Sequence, residues 1–216
     1  FKNATQHEQI LRKIYELGSR ATRENLVKKA NVPSSGDLTS KLNELEESGF
    51  LKSYVPFGGN KNRKIYVISD YYTLFYLRFV ENAGTYEAGN WVNRINDPAI
   101  NVWAGLAFEQ ICWDHVRNIK KALGIEGIYS ETSSWYKAAD PESGGAQIDL
   151  IIDRKDRVIN LFEIKFSINP FEITKAYDLV LRNKIAAFIQ STKTKKAVFL
   201  VMLTTFGLLK NEYARS

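Results

Sequence analysis

The segment AQIDLIIDRKDRVINLFEIKFS, residues 146–167, consists of two apolar runs separated by the polar stretch RKDR. Such runs, bounded by turn residues, predict a β-hairpin. If the turn is centred near Asp156, antiparallel pairing places Asp149 opposite Glu163, and Cβ atoms at such positions lie about 4.5–5.5 Å apart. Lys165 then lies on the same face as Glu163, because side chains alternate between faces along a strand.

The hairpin therefore brings two acids and one lysine into an otherwise apolar environment, where unpaired charges are costly. One interpretation is a structural ion pair from Lys165 to Glu163 or to Asp149. The other is a cation site, because two carboxylates this close together can hold one divalent ion. The spacing leaves both interpretations open.

The order of these residues resembles the core signature of the PD-(D/E)XK nuclease superfamily. Asp149 is followed, after thirteen residues, by Glu163, Ile164 and Lys165. That superfamily also has an acid on a helix before the first core strand, and Glu109 lies in a predicted helix before the hairpin. The resemblance implies a restriction-endonuclease-like α/β fold and hydrolysis of a phosphodiester bond.

The resemblance also implies roles for these side chains. Asp149, Glu163 and Glu109 would bind Mg²⁺ or Mn²⁺ and take part in catalysis, together with the backbone carbonyl of Ile164. Lys165 would be catalytic by orienting the attacking water or assisting its deprotonation. An ion bound in this way would stabilise negative charge on the phosphate.

The first 70 residues have a different organisation. Apolar spacing and capping residues predict three helices, followed by two short strands around GGNKNR; the helices cover residues 7–19, 22–31 and 34–50. Three helices and a hairpin with a basic tip, in this order, indicate a winged helix-turn-helix.

In that fold the third helix commonly enters the major groove of DNA, and the wing lies along phosphates. The candidate DNA contacts are polar residues of these two elements: Ser34, Ser35, Thr39, Ser40, Lys41, Lys61, Asn62, Arg63 and Lys64. The alternative is a protein-interaction or packing module, because the third helix also carries Glu44, Glu46 and Glu47, which phosphate repels.

Aromatic residues are concentrated just after this module. Tyr71, Tyr72, Phe75, Tyr76 and Phe79 could form a base-stacking platform, but their helical spacing favours a packed helix. We interpret residues 71–97 as an aromatic helical linker between a winged helix-turn-helix at 1–70 and a nuclease-like domain at 98–216.

The pattern within this second domain is helix, strand, strand, helix, strand. The first helix is predicted over 101–123, the second over 169–191, and a final apolar strand over 195–207. The expected class is therefore α/β in this domain and α+β overall. In the second helix, we expect Leu179, Ile185, Phe188 and Ile189 to face inward, while Lys175, Arg182 and Lys184 line a phosphate path or a solvated face.

A broader resemblance covers nearly the whole chain. Several segments are similar to the carboxy-terminal half of a family of archaeal and bacterial AAA-type ATPases: VPFGGNKNRKIYVISDYYTLFYLRFVEN, GLAFEQIC, QIDLIID, FEIKFS and VMLTTFGLLKNEYA. In that family a P-loop ATPase precedes a winged helix and a nuclease-like domain of unknown function. The chain contains no G-x-x-x-x-G-K-[ST] motif, so the resemblance implies an ATPase domain in the same full-length chain as a partner. Gln147 stands where family members often have Glu.

Composition sets wider limits. The chain has 216 residues, of which 44% are hydrophobic and 25% charged, as in ordinary globular proteins. No apolar stretch is long enough to cross a bilayer and no signal peptide pattern opens the chain, so we expect a cytoplasmic protein without a membrane partner. The single cysteine, Cys112, excludes an internal disulfide and a zinc site made of several cysteines.

Charge fits a nucleic-acid partner without requiring one. The net charge is +6, and the first 70 residues contain 12 Lys and Arg against 8 Asp and Glu. Two functions therefore remain: a metal-dependent DNA endonuclease targeted by the winged helix, or a catalytically inactive DNA-binding or regulatory module of the ATPase. A simple transcription regulator is disfavoured by the size and the acid cluster of the second domain.

Overall fold

The computed structural model describes residues 4–33, 36–60, 63–81, 98–138 and 144–215. The chain divides into two compact units, Phe1–Asp97 and Pro98–Ser216. Together the units contain helices and two β-sheets, so the predicted α+β class is confirmed. No helix in the described part of the chain combines the length and the apolar character needed to cross a membrane.

The first unit begins with a helix, a short strand and two further helices, followed by two strands and a final helical segment. Its elements are α1 Ala4–Glu16, β1 Arg20–Thr22, α2 Arg23–Lys29, α3 Gly36–Glu47, β2 Leu51–Tyr54, β3 Ile65–Ile68, α4 Tyr71–Phe75 and a π-helical turn Tyr76–Val80. The strands form an antiparallel sheet in the order β1-β3-β2. The three-residue strand β1 was not predicted.

The core of this unit is built from the apolar faces of its helices. Leu38, Leu42 and Leu45 form a buried stripe on α3, because residues spaced by three and four share one helix face. They belong to one cluster with Ile14 of α1 and Leu26 of α2. Burial of these side chains fixes how the three helices pack against the small sheet.

The aromatic segment continues this unit. Asp70 caps α4 by accepting a hydrogen bond from the Thr73 amide at 2.8 Å. Leu74 and Leu77 are buried in the core of the first unit, whereas Tyr72 is exposed. The described part of the predicted linker therefore packs within the first unit, and its remainder, 82–97, lies outside the described residues.

In its described residues, the second unit contains three α-helices and one four-stranded sheet. Its elements are α5 Pro98–Asp114, α6 Val116–Ala122, β4 Ser130–Lys137, β5 Ala146–Arg154, β6 Val158–Lys165, α7 Lys175–Thr192, β7 Ala197–Thr204 and a 3₁₀ turn Tyr213–Arg215. The sheet order is β4-β5-β6-β7, with β4, β5 and β6 antiparallel and β7 parallel to β6. The predicted first helix is divided into α5 and α6, and strand β4 was not predicted.

Side chains of the central strands face two different layers. Leu150, Ile152 and Phe162 are buried in a cluster with Cys112 of α5. Glu163 alternates with Phe162 along β6 and lies on the opposite face, where Tyr177 and Lys184 of α7 donate hydrogen bonds to it. Helix α7 also contacts β5. The sheet thereby places Glu163 beneath α7.

Candidate functional site

The β5–β6 hairpin has the register that the sequence predicts. Leu150 pairs with Phe162 and Ile151 with Leu161, so the pairing is centred on position 156. The pairing ends at Leu150 and Phe162, and Asp149 and Glu163 are the next residues beyond it. The Ile164 amide, next to Glu163, donates a hydrogen bond to Asp149 Oδ2 at 3.1 Å.

Glu163 is the most deeply buried member of the site, with 1% of its surface exposed. Its Oε1 accepts a hydrogen bond from the Tyr177 hydroxyl at 2.7 Å and lies 3.1 Å from Lys165 Nζ. Its Oε2 accepts a hydrogen bond from Lys184 Nζ at 2.7 Å. Burial by itself would raise the pKa of Glu163, but the bonds from Lys184 and Tyr177 outweigh burial and lower that pKa. Glu163 is therefore held as a carboxylate by its neighbours.

Asp149 experiences the opposite balance. Burial, followed by the charges of Glu109 and Glu163, raises the pKa of Asp149 to about 6. The bond from the Ile164 amide acts in the other direction, and Gln147 Nε2 donates to Asp149 Oδ1 at 3.2 Å. The pKa values of the two carboxylates thus shift in opposite directions. Lysine side chains lower the pKa of Glu163, whereas the negative charges of Glu109 and Glu163 help to raise the pKa of Asp149.

Glu109 lies on α5 at the edge of this cluster. Its negative charge is felt by Asp149 and also by Cys112, whose thiol pKa is raised to about 11, chiefly by burial. The helix therefore supplies a third acid near the hairpin, in the chain order that the sequence predicts. Cys112 itself is a buried free thiol with little thiolate character at neutral pH.

The three acids do not form a ready-made ligand group. Among the described residues, no cluster of three or more His, Cys, Asp or Glu side chains is arranged to hold a metal ion. The carboxylate of Glu163 is, moreover, already in contact with Lys184, Lys165 and Tyr177. The donor chemistry still fits, since carboxylate oxygens are the ligands that Mg²⁺ and Mn²⁺ prefer. The metal ligands therefore stay a prediction.

Tyr177 was not predicted as a site residue, and Lys184 was expected only on a phosphate path or a solvated face. They are separated by seven positions, or about two helical turns, and so lie on one face of α7. Leu181 and Phe188 are buried on the same stripe. The signal was available in the spacing 177, 181, 184, 188, in which a tyrosine and a lysine interrupt an apolar stripe.

The predicted inward face of α7 was partly wrong. Leu179 and Ile189 are 59% and 41% exposed, whereas Phe188 is fully buried as predicted. Apolar residues occur around much of α7, so the sequence pattern does not define which side meets the sheet. The buried stripe is rotated toward Leu181, and this rotation brings Lys184 to Glu163.

In the first unit, some of the predicted DNA contacts are accessible. Thr39 and Arg63 are exposed, and Thr39 Oγ1 accepts a hydrogen bond from Arg23 Nε at 3.2 Å. Lys64 Nζ lies 3.7 Å from a carboxylate oxygen of Glu46, so part of its charge is neutralised by α3. Ser40 is exposed at the helix surface and Oγ donates to a neighbouring carboxylate.

Lys41 requires a correction. Only 6% of its surface is exposed, and its ammonium forms an ion pair with Asp37 one turn earlier in α3. A lysine in this position does not present its charge to a phosphate, so we remove Lys41 from the candidate interface. Four further candidates lie outside the described residues: Ser34, Ser35, Lys61 and Asn62.

Comparison with known proteins gives no match: no protein-family model fits the chain, and no curated protein or solved structure is significantly similar to it. The resemblances drawn from the sequence motifs therefore stay predictions. A functional conclusion has to be argued from the geometry of the two units.

Proposed function

We propose that the second unit is a metal-dependent nuclease that hydrolyses phosphodiester bonds of DNA. The proposal rests on one observation, the convergence of Asp149, Glu163 and Lys165 where the β5–β6 pairing ends, with Glu109 close enough to raise the pKa of Asp149. Acids gathered at this density in a partly buried site are unfavourable on their own, and perturbed pKa values of this kind are typical of functional sites.

The side chains would divide the work according to their environments. Asp149, Glu163 and Glu109 would hold Mg²⁺ or Mn²⁺, which supplies Lewis-acid stabilisation of the charge on the phosphate. Lys165 is partly exposed and lies 3.1 Å from Glu163, so its ammonium can orient a water molecule at the mouth of the site. Because Glu163 is buried, water screens its interactions with the neighbouring charges less than it would at the surface.

We further propose that the second unit has the restriction-endonuclease-like fold. Support comes from the order of its elements, in which α5 and α6 precede three antiparallel strands, and α7 leads to the parallel strand β7. The acids of the hairpin are central in this sheet. The proposed relationship to the PD-(D/E)XK superfamily is consistent with this order.

The first unit would target this activity as a winged helix-turn-helix. Its order of helix, strand, two helices and two strands, with the sheet order β1-β3-β2, supports that assignment. The exposed Thr39 and Arg63, and in part Lys64, are the side chains that would contact DNA. We retain the AAA-type ATPase family as the proposed context, with an ATPase domain of the same full-length chain as partner in the cytoplasm.

A second candidate function is a DNA-binding or regulatory module without catalysis. One observation favours it, because both oxygens of Glu163 are engaged by Lys184, Lys165 and Tyr177. A carboxylate satisfied in this way can serve as a structural ion cluster. The two functions differ in whether the site at the hairpin binds metal and cleaves DNA.

A cleavage assay separates the two candidates. Supercoiled and branched DNA are incubated with the protein and Mn²⁺ or Mg²⁺, beside the single variants Asp149→Asn, Glu163→Gln and Lys165→Ala. A nuclease at this site cleaves only with metal and loses about a hundredfold or more in rate in each variant. Arg117→Ala, which removes an exposed cation of α6 paired with Glu126, is the control and retains the rate. DNA binding without cleavage by the wild type would establish the second candidate.

A further inference from the structure

Lys184 is bonded to the most buried carboxylate of the site and still reaches solvent. Its Nζ lies 2.7 Å from Glu163 Oε2, and 21% of its side-chain surface is exposed, against 1% for Glu163. The lysine comes from α7, while the carboxylate belongs to β6. A long side chain with this exposure can move its ammonium between the carboxylate and the solvent without a change in the fold.

The positive charge around Glu163 exceeds the single negative charge of its carboxylate. Lys165 and Lys184 both approach it, one at each oxygen, and the Tyr177 hydroxyl adds a third donor. A divalent cation arriving between Asp149 and Glu163 would meet two ammonium groups at short range, and like charges this close repel strongly. Metal binding is therefore favoured when one ammonium leaves.

The two lysines do not contribute equally to this repulsion. Lys165 lies 3.1 Å from Glu163 Oε1 and over the Tyr177 ring, 5.7 Å from its centroid. Lys184 donates to Glu163 Oε2 from the neighbouring helix, and its charge also acts on Asp149. Departure of Lys184 therefore removes positive charge from both carboxylates that would hold a cation, which makes it the side chain whose exchange of one anion for another opens the site.

We propose that Lys184 is a positioning residue that closes the metal site in the absence of nucleic acid and exchanges Glu163 for a phosphate of bound nucleic acid. This inference rests on the proposed function and adds its regulation. When the ammonium moves to a phosphate, Glu163 Oε2 becomes available as a ligand. Metal and nucleic acid then bind cooperatively, since each favours the same position of Lys184.

The first test measures Mn²⁺ binding alone, by calorimetry on the full chain at pH 8. Lys184→Met removes the competing ammonium and keeps the length of the side chain. We expect its Mn²⁺ affinity to rise about tenfold or more. In the variant, Mn²⁺ no longer has to displace a hydrogen bond between two charged groups, and the free energy of such a bond corresponds to a change of this size. Arg182→Met removes a cation from the same helix that pairs with Asp178, and should leave the affinity unchanged.

Three outcomes decide the first half of the proposal. A selective rise in Lys184→Met supports it. Equal, measurable affinities in Lys184→Met and wild type overturn the role of Lys184 and leave the proposed metal-dependent function intact. No Mn²⁺ binding in either protein overturns both. If Lys184→Met fails to fold by circular dichroism, Lys184→Gln keeps an N–H donor for Glu163 without its charge, and the same comparison applies.

The second half is tested with a fluorescent phosphorothioate DNA duplex, whose binding is followed by anisotropy with and without Mn²⁺. We expect Mn²⁺ to strengthen duplex binding about fivefold more in the wild type than in Lys184→Met, because only the wild type has an ammonium to release toward a phosphate. Equal strengthening in the two proteins overturns the exchange with phosphate.

Discussion

Asp149 combines a raised pKa with a position in the middle of a stable hairpin, so its charge weakens the fold. The folded pKa of about 6 exceeds the ordinary value of 3.8. A raised folded pKa means that the folded state binds the proton more tightly than the unfolded chain does. The stability that this proton gives the folded state is fully present below pH 4 and is lost as the pH rises through 6.

Asp149→Asn should therefore stabilise the protein in a pH-dependent manner. The gain in the free energy of unfolding is small at pH 4, grows between pH 4 and 6, and reaches about 1–3 kcal/mol above pH 7. The amide side chain can still accept the bond from the Ile164 amide. Urea unfolding at pH 4, 6 and 8 measures the difference in the free energy of unfolding between variant and wild type. The effects of most other titrating groups cancel in that difference.

Asp153 provides the matched control for this prediction. It lies four positions further along β5 and, unlike Asp149, forms an ion pair with Lys196. Asp153→Asn should lower stability at pH 8, because it leaves that lysine without its carboxylate partner. A gain in Asp149→Asn that is equal at pH 4 and pH 8 would show that charge is not the cause.

At the scale of elements, α7 determines which groups reach Glu163. Thr174 caps this helix by accepting a hydrogen bond from the Tyr177 amide at 3.2 Å. Thr174→Ala should lower stability by about 1 kcal/mol, since the amide loses its acceptor. Thermal unfolding followed by circular dichroism should show a shift of about 4 °C. Thr174→Ser keeps the hydroxyl and should melt close to the wild type; equal shifts in both variants would contradict the capping role.

The same scale shows what a sequence can and cannot predict here. The hairpin register followed from local information, because an apolar pattern of period two and a short polar turn allow only one symmetrical pairing. Strand β4, with the sequence SETSSWYK, lacks an apolar alternation and was therefore missed. The position of Lys184 depended on which side of α7 meets the sheet, and Leu179 and Ile189 on the other side concealed that choice.

For the whole molecule, the cores are separate. The cluster of the first unit includes Ile14, Leu42 and Leu77, and that of the second includes Leu150 and Phe162; among the residues that the structure describes, neither cluster contains a residue of the other unit. A core confined to one continuous stretch of chain can form without the rest of the protein. The division between the units falls between Asp97 and Pro98, where helix α5 begins.

We therefore expect residues 1–97 and 98–216, produced as separate polypeptides, to fold independently. Each should unfold cooperatively in urea, since each has its own buried cluster. Residues 98–216 should bind Mn²⁺ as the full chain does, because Asp149, Glu163, Lys165 and Lys184 all lie in that stretch. Residues 1–97 should bind duplex DNA with an affinity that falls steeply as salt increases, because phosphate contacts release counterions. Loss of Mn²⁺ binding by a folded 98–216 polypeptide would mean that the first unit supplies part of the site. If 98–216 alone retained all of the DNA affinity, the first unit would have no targeting role.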